Sequence, residues 1–290
     1  MKISNGILSV EIGEHGAELL SIEKNGREYV WQGDARFWGR HAPILFPTVG
    51  KVADGKFTVD GKEYNMGQHG FARDSDFEIK ERAQSYAVLE LSSNEDTLGK
   101  YPFPFILKAE YSVEYNSVIM NWTVTNPSDK SLFCQIGAHP AFLYRDFKEN
   151  DPVHGYISCI DASGKQVDPV CNCGLSGGYA ISREPVNLGE LLPLTANTFD
   201  SDALIMEGAQ VYKTILMDKD KKPYLSVKSA AEVLAFWSPV GKNAPFVCIE
   251  PWLGRTDKAD FKGEFRDREY VYRVGAGKSL VFTYEVTILD

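Results

Sequence analysis

"LKAEYSVEYNSVIMNWTVT", Leu107 to Thr125, reads as two β-strands and the turn between them. In the first arm Leu107, Ala109, Tyr111, Val113 and Tyr115 alternate with Lys108, Glu110, Ser112 and Glu114. After Asn116-Ser117 the second arm sets Met120, Trp122 and Val124 against Asn121, Thr123 and Thr125. Successive side chains of a strand point to opposite faces, so a period of two with one apolar set marks a strand with one buried face. Two such runs around a short polar turn make a hairpin.

Outward from this hairpin the same period returns. Phe282, Tyr284, Val286 and Ile288 alternate with Thr283, Glu285 and Thr287, and Leu8, Val10 and Ile12 with Ser9 and Glu11. Asn25-Gly26 and Asp60-Gly61 lie between strand-like runs, and such pairs tolerate the positive φ that tight hairpin turns require. Helical patterning is confined to Asn187–Leu192 and Arg145–Asn150, a turn or two each. Residues Ser163 to Arg183, rich in Gly, Ser and Asp, read as a long loop over the sheet. No composition break marks a linker, and there is no low-complexity segment or short-period repeat. The expectation is an all-β chain, one domain over residues 1–290, built as a large antiparallel β-sandwich.

A net charge of -9 argues against a sequence-independent binder of nucleic acid or of a membrane surface, which needs a basic face. No apolar run is long enough to span a bilayer. The N-terminal Met1-Lys2-Ile3-Ser4-Asn5 starts in strand-like sequence rather than a signal peptide. Five scattered cysteines do not suggest a disulfide framework. A cytoplasmic protein is expected.

Three stretches place an ionisable residue beside turn-forming or apolar neighbours: "QHGFAR" (Gln68–Arg73), "IGAHPAF" (Ile136–Phe142) and "FVCIEPWLGR" (Phe246–Arg255). Gly67 and Gly70 bracket His69 and let its ring project, with the Arg73 cation nearby. Pro140, directly after His139, ends a central strand. The apolar run Phe246–Ile249 ends on Glu250, and Pro251 stops it. A carboxylate there either pairs with a cation, such as Arg255, or stays desolvated with a raised pKa as a stronger base. Singly, each residue has an ordinary explanation: His139 as a core histidine bonded to a carbonyl, His69 as a solvated loop residue, Arg73 as a partner of Asp74 or Asp76. Together, two histidines and a glutamate at strand ends can converge over one cleft. The Cys171-Asn172-Cys173 stretch with distant His154 lacks the paired spacing of a zinc site.

The chain resembles the aldose 1-epimerase (galactose mutarotase) superfamily, and within it the LacX-like branch. The resemblance runs through residues 5–34, ending in "WQGD", through residues 37–73, ending in "GQHGFAR", and then "GAHPAF" (137–142), "TFDSDALI" (198–205) and "IEPWLG" (249–254), in that order and spacing. It implies a β-supersandwich fold. It implies His139 as the general acid toward the ring oxygen and Glu250 as the general base toward the anomeric hydroxyl. It implies His69 as a second active-site histidine holding a sugar hydroxyl, and Asp202 as a substrate-binding aspartate, with Asp200 two residues away on the same strand face as the alternative. Lys51 stands where sugar mutarotases carry an arginine. A lysine keeps the charge but not the planar fork, so Arg73 or Arg40 would take over that grip.

The implied reaction opens a hemiacetal ring, rotates the C1–C2 bond and recloses it. One acid and one base suffice, so no metal or organic cofactor is expected. The expected partner is a small sugar, a hexose or hexose phosphate. Trp38 and Trp252 are platforms for its apolar face or else core residues. The alternatives are a hexose-6-phosphate 1-epimerase, with Arg40, Lys51 and Arg73 around the phosphate, and a catalytically silent carbohydrate-binding protein on the same fold. An intact acid–base pair argues against silence.

Overall fold

The hairpin forms, with its turn at Tyr115-Asn116 rather than Asn116-Ser117: Tyr115 takes φ 51° and is 82% exposed, not part of the buried face, and Ser117 opens the second strand. Ile106–Glu114 and Ser117–Thr125 pair antiparallel, Leu107 opposite Val124 and Ala109 opposite Trp122. It lies inside a ten-stranded sheet, flanked by Tyr86–Ser92 on one side and Ser279–Ile288 on the other. The apolar faces of these strands merge: Leu107, Tyr111, Trp122 and Tyr284 are wholly buried. Beyond Ser279–Ile288 the sheet continues through Pro223–Ser229, Lys213–Met217 and Gly155–Ile160. The computed structural model describes all 290 residues.

A second sheet of eight strands includes Val170–Ser176, Tyr179–Asn187, Leu204–Glu207, Val233–Trp237, Phe246–Leu253 and Ile136–Ala138. A core of 58 buried residues draws on both sheets: Trp122 and Tyr284 from the first, Leu234, Phe236, Val247 and Ile249 from the second. A small four-stranded sheet, Lys2–Ser4 to Arg27–Glu28, adds Ile3, Val10 and Ile12 to it. This all-β architecture is the large antiparallel sandwich expected. In Phe246–Leu253 the odd-numbered Val247 and Ile249 belong to the main core. The even-numbered Phe246, Cys248 and Trp252 belong to two smaller clusters. Period two therefore sends Glu250 away from the main core, with Cys248 and Trp252.

Asn25-Gly26 and Asp60-Gly61 are hairpin turns, between Leu19–Lys24 and Arg27–Glu28 and between Lys56–Val59 and Lys62–Asn65. Four further expectations are corrected. Ser163–Arg183 is not a loop: Val170–Ser176 and Tyr179–Asn187 form a hairpin at the sheet edge, turning at Gly177-Gly178. Most of Tyr179–Asn187 faces solvent, so the apolar alternation that betrays a half-buried strand is missing. Asn187–Leu192 and Arg145–Asn150 hold turns or extended chain rather than helix. The α-helix is Glu95–Lys100, capped by Asn94, whose side chain accepts from the Thr97 N–H. Pro251 does not end its strand, which runs on to Leu253. All five cysteines are free and buried, and no helix is long and apolar enough to cross a membrane.

Candidate active site

Pro251 is tolerated in mid-strand because the neighbour on one side is interrupted. On the unbroken side it lies opposite Leu234. On the other, Ile136 and Gly137 pair with Leu253 and Trp252, and Ala141, Phe142 and Leu143 pair with Cys248, Val247 and Phe246. The ladder breaks at His139-Pro140, and the Ala138 carbonyl, which the register sets opposite Pro251, accepts from Trp252 Nε1 instead, so the missing proline N–H leaves no acceptor unpaired. Carrying the same register through the break sets His139 opposite Glu250. Gly137 belongs to this construction, since a Cβ there would meet the Trp252 ring at 2.6 Å.

The result is a buried pair. His139 Nε2 lies 3.2 Å from Glu250 Oε2, with the side chains 10% and 2% exposed. Glu250 is not bridged to Arg255, which binds Glu207 and Glu269 instead. No hydrogen-bond donor is aligned on Glu250 Oε2. Burial, and then the negative charge of Asp202, push the Glu250 carboxyl well above its ordinary range. Burial pulls the His139 imidazole down to about 3, helped by the positive charges of Arg73 and Arg40. Both shifts disfavour charge, so the pair holds one proton between two neutral groups.

Aromatic rings fix His139. Trp38 stacks on it, centroids 4.7 Å apart, and Trp237 meets it edge-on at 5.5 Å. Trp38 therefore gives one face to the histidine. Trp252 donates from Nε1 to the Ala138 carbonyl at 3.2 Å, bracing the strand before His139.

His69 meets His139 edge-on, centroids 5.6 Å apart. Its own backbone takes the left-handed φ of 68°. Gly70 is required for another reason: a Cβ there would strike the Phe46 carbonyl oxygen at 2.1 Å. His69 Nδ1 accepts from the Gly50 N–H at 3.1 Å. That contact places the ring proton on Nε2, so the Gln68 side-chain amide 3.2 Å away must turn its oxygen rather than its NH2 toward the ring. Burial first, then His139 and the arginines, hold the His69 pKa well below its ordinary value, so the ring is a neutral donor.

These residues line one cleft of about 430 Å³, together with Lys51, Gln68, Arg73, Asp202, Trp237 and Thr256. That volume is typical of small-molecule sites (~300–1,000 Å³). Arg73 donates to the Gln68 carbonyl at 2.6 Å and lies 3.6 Å from Asp74. Burial lowers its pKa to about 10, so it stays a cation at neutral pH. Lys51 reaches the cleft and donates to the Gly177 carbonyl at 2.8 Å, tying down the tip of the edge hairpin. Asp202 lines the cleft from a turn with φ 74° and not from a strand. Asp200 spends its carboxylate on Asn197 and does not line the cleft. Arg40 is the residue the cleft does not include. It is tied to Asp74 at 2.8 Å and acts on the site through its charge.

Trp237, Gln68 and Thr256 were not foreseen. Trp237 had a signal, as the last residue of the apolar run Val233–Trp237 beside the Glu250 strand. Thr256 had none, because its place depends on a contact with Lys51 far away in sequence. His154 and Cys171–Cys173 do not combine: His154 bonds Asn243 and packs on Tyr144 and Phe147, whereas Cys171 meets Arg183.

Comparison with known proteins gives one consistent answer. The family model described as aldose 1-epimerase matches residues 1–273. The plasmid-encoded protein LacX of Lactococcus lactis subsp. lactis is 26% identical over 100% of this chain and 99% of its own length. A galactose mutarotase related enzyme from Lactobacillus acidophilus superposes with a TM-score of 0.91 at 31% identity, covering 100% of this chain and 97% of that one. A galactose mutarotase-like protein from Lactobacillus casei ATCC 334 gives 0.91 at 29%, covering 100% and 99%.

Proposed function

This chain belongs to the aldose 1-epimerase family, and from that premise we propose that it interconverts the α and β anomers of a hexose, with Glu250 and His139 as the acid–base pair. The observation that carries the reading is the buried 3.2 Å contact between His139 and Glu250 on the wall of a cleft. The same cleft holds a neutral histidine donor, a cation, a carboxylate and indole rings, the group types that recognise hydroxyls and the apolar face of a sugar.

Proton transfer across the pair converts neutral His139 and protonated Glu250 into imidazolium and carboxylate. Glu250 then takes the proton of the C1 hydroxyl while His139 gives one to the ring oxygen. The bond from C1 to the ring oxygen breaks and the aldehyde forms. Rotation about C1–C2 turns the other carbonyl face to the ring oxygen, and the reverse proton transfers close the ring. His69 Nε2 and Asp202 hold hydroxyls during the rotation.

The single shared proton sets the pH dependence. Below the acid limb a second proton reaches His139 while Glu250 is still protonated, leaving no base. Above the alkaline limb the last proton leaves, and no acid remains. Burial moves both limbs outward. The profile of kcat/KM against pH is therefore expected to be a broad plateau. Its acid limb should lie below the ordinary histidine pKa of about 6.5 and its alkaline limb above the ordinary carboxylate range. An acid limb centred near that histidine value would contradict the pairing.

A hexose 6-phosphate as substrate is favoured by one feature, the presence of both Arg73 and Lys51 on the cleft wall. Arg73→Ala separates the two substrates. It is expected to raise KM by roughly 10-fold or more for a phosphorylated sugar, the cost of losing a charged hydrogen bond, and less for a neutral one. Steady-state rates with glucose and glucose 6-phosphate check this. Equal KM changes for both would assign a neutral hexose.

A further inference from the structure

We propose that His139, Cys248 and Glu250 together form a capture site for a soft divalent cation such as Zn²⁺, and that a cation held there excludes the sugar. The three donor groups, all buried, lie within 4.8 Å of one another, and no other three His, Cys, Asp or Glu residues of the chain assemble in this way. The grouping follows from sheet geometry. Cys248 and Glu250 are two residues apart and share a strand face, and the break at His139-Pro140 turns the imidazole onto that face from the neighbouring segment.

A second observation points to a ligand. His139 Nδ1 is buried without a hydrogen-bond partner, and Glu250 Oε2, on a side chain only 2% exposed, has no neighbour to bond but the His139 Nε2 3.2 Å away. Buried polar atoms are nearly always satisfied. Imidazole nitrogen, thiolate sulfur and carboxylate oxygen are the ligand types of zinc. Calcium and magnesium want six or more oxygens, which this corner does not offer. Bond lengths of about 2.0–2.3 Å require the donors to draw together by roughly 1 Å. Three protein ligands leave a fourth position toward the cleft. On binding, Cys248 Sγ and Glu250 release their protons to solvent, and the cation takes the lone pairs that ring opening uses. The site is thus inhibitory and adds no metal requirement to the reaction.

The binding half of this inference is independent of the mutarotase reading, and the inhibition half rests on it. The test uses the full chain with Co²⁺ as a spectroscopic probe and Zn²⁺ as inhibitor. Wild type titrated with Co²⁺ is expected to show a thiolate-to-cobalt charge-transfer band that Zn²⁺ abolishes and Cys248→Ala lacks. In rate assays Zn²⁺ should raise the apparent KM of wild type. Cys248→Ala should stay active and need about 10-fold more Zn²⁺ or more, since even supporting shells matter that much. Cys248→Ser replaces it if the alanine variant does not fold, and Glu250→Gln should weaken the same band. No band with wild type, or equal Zn²⁺ sensitivity with and without the thiol, overturns the proposal. A Cys248-dependent band in a protein that accelerates no anomer exchange would keep the metal site and remove the mutarotase reading.

Discussion

Glu250→Gln is expected to lower kcat for anomer interconversion by ~100-fold or more, the usual contribution of a positioned acid or base, while KM changes little. Glutamine keeps the shape and removes the proton acceptor. His139→Asn removes the partner and should cost about as much. The double variant should lose far less than the product of the two single losses, because the groups act on one step. Stability separates this from a structural role. Burial holds the Glu250 carboxyl protonated in the folded chain at pH values where the unfolded chain has released that proton. Ionisation therefore opposes folding as pH rises above the ordinary carboxylate range. Glutamine cannot ionise, so the variant's Tm at neutral pH should match or exceed wild type. A well-folded Glu250→Gln protein with near-wild-type rates would exclude Glu250 as the base.

The largest stability effect is expected away from the chemistry, at Asp257. Its Oδ1 lies 2.7 Å from Arg268 Nε, and the two side chains are 4% and 0% exposed. Its Oδ2 accepts from the Ala53 N–H, its own N–H donates to the Lys51 carbonyl, and its carbonyl accepts from Ala180. One residue thus joins the Lys51 segment, the edge hairpin and the Arg268 turn, three parts of the cleft's surroundings. Asp257→Ala leaves a buried guanidinium unpaired, which costs about 3–5 kcal/mol. Glu78→Ala, which removes the exposed partner of Lys80, should change stability by no more than about 1 kcal/mol. Denaturant unfolding of the two variants measures the contrast. A loss at Asp257 as small as that at Glu78 would show that the buried pair is not an anchor.

The parts of the fold legible in the sequence are those whose burial repeats with the period of the backbone. Leu107 to Val124 and Phe282 to Ile288 bury alternate residues in one core, and the sequence carries that alternation openly. The Val170–Asn187 hairpin does not. At the sheet edge, with exposed Ile181 and Val186 and a diglycine turn, its strands have little burial to record. Pro251 misled for a related reason: a proline argues for a strand end unless the neighbouring ladder is broken, and the break at His139-Pro140 is a tertiary fact.

The site shows the same division. His69, His139 and Glu250 stand out because each is an ionisable residue among apolar or turn-forming ones. Which of Asp200 and Asp202 faces the cleft depends on a turn conformation, and sequence left it open. The grip expected of Arg40 is spent on Asp74, a contact between segments that no local pattern encodes. Trp38 was legible as an aromatic near the site, but its stacking on His139 required the fold.

Polarimetry of freshly dissolved α-glucose, α-galactose and glucose 6-phosphate with the wild-type protein tests the central claim most directly. The account predicts that the approach to anomeric equilibrium is accelerated well beyond the spontaneous rate for at least one of these sugars, without added metal. Binding of a sugar with no acceleration for any of the three would contradict it and leave a carbohydrate-binding protein on a mutarotase fold.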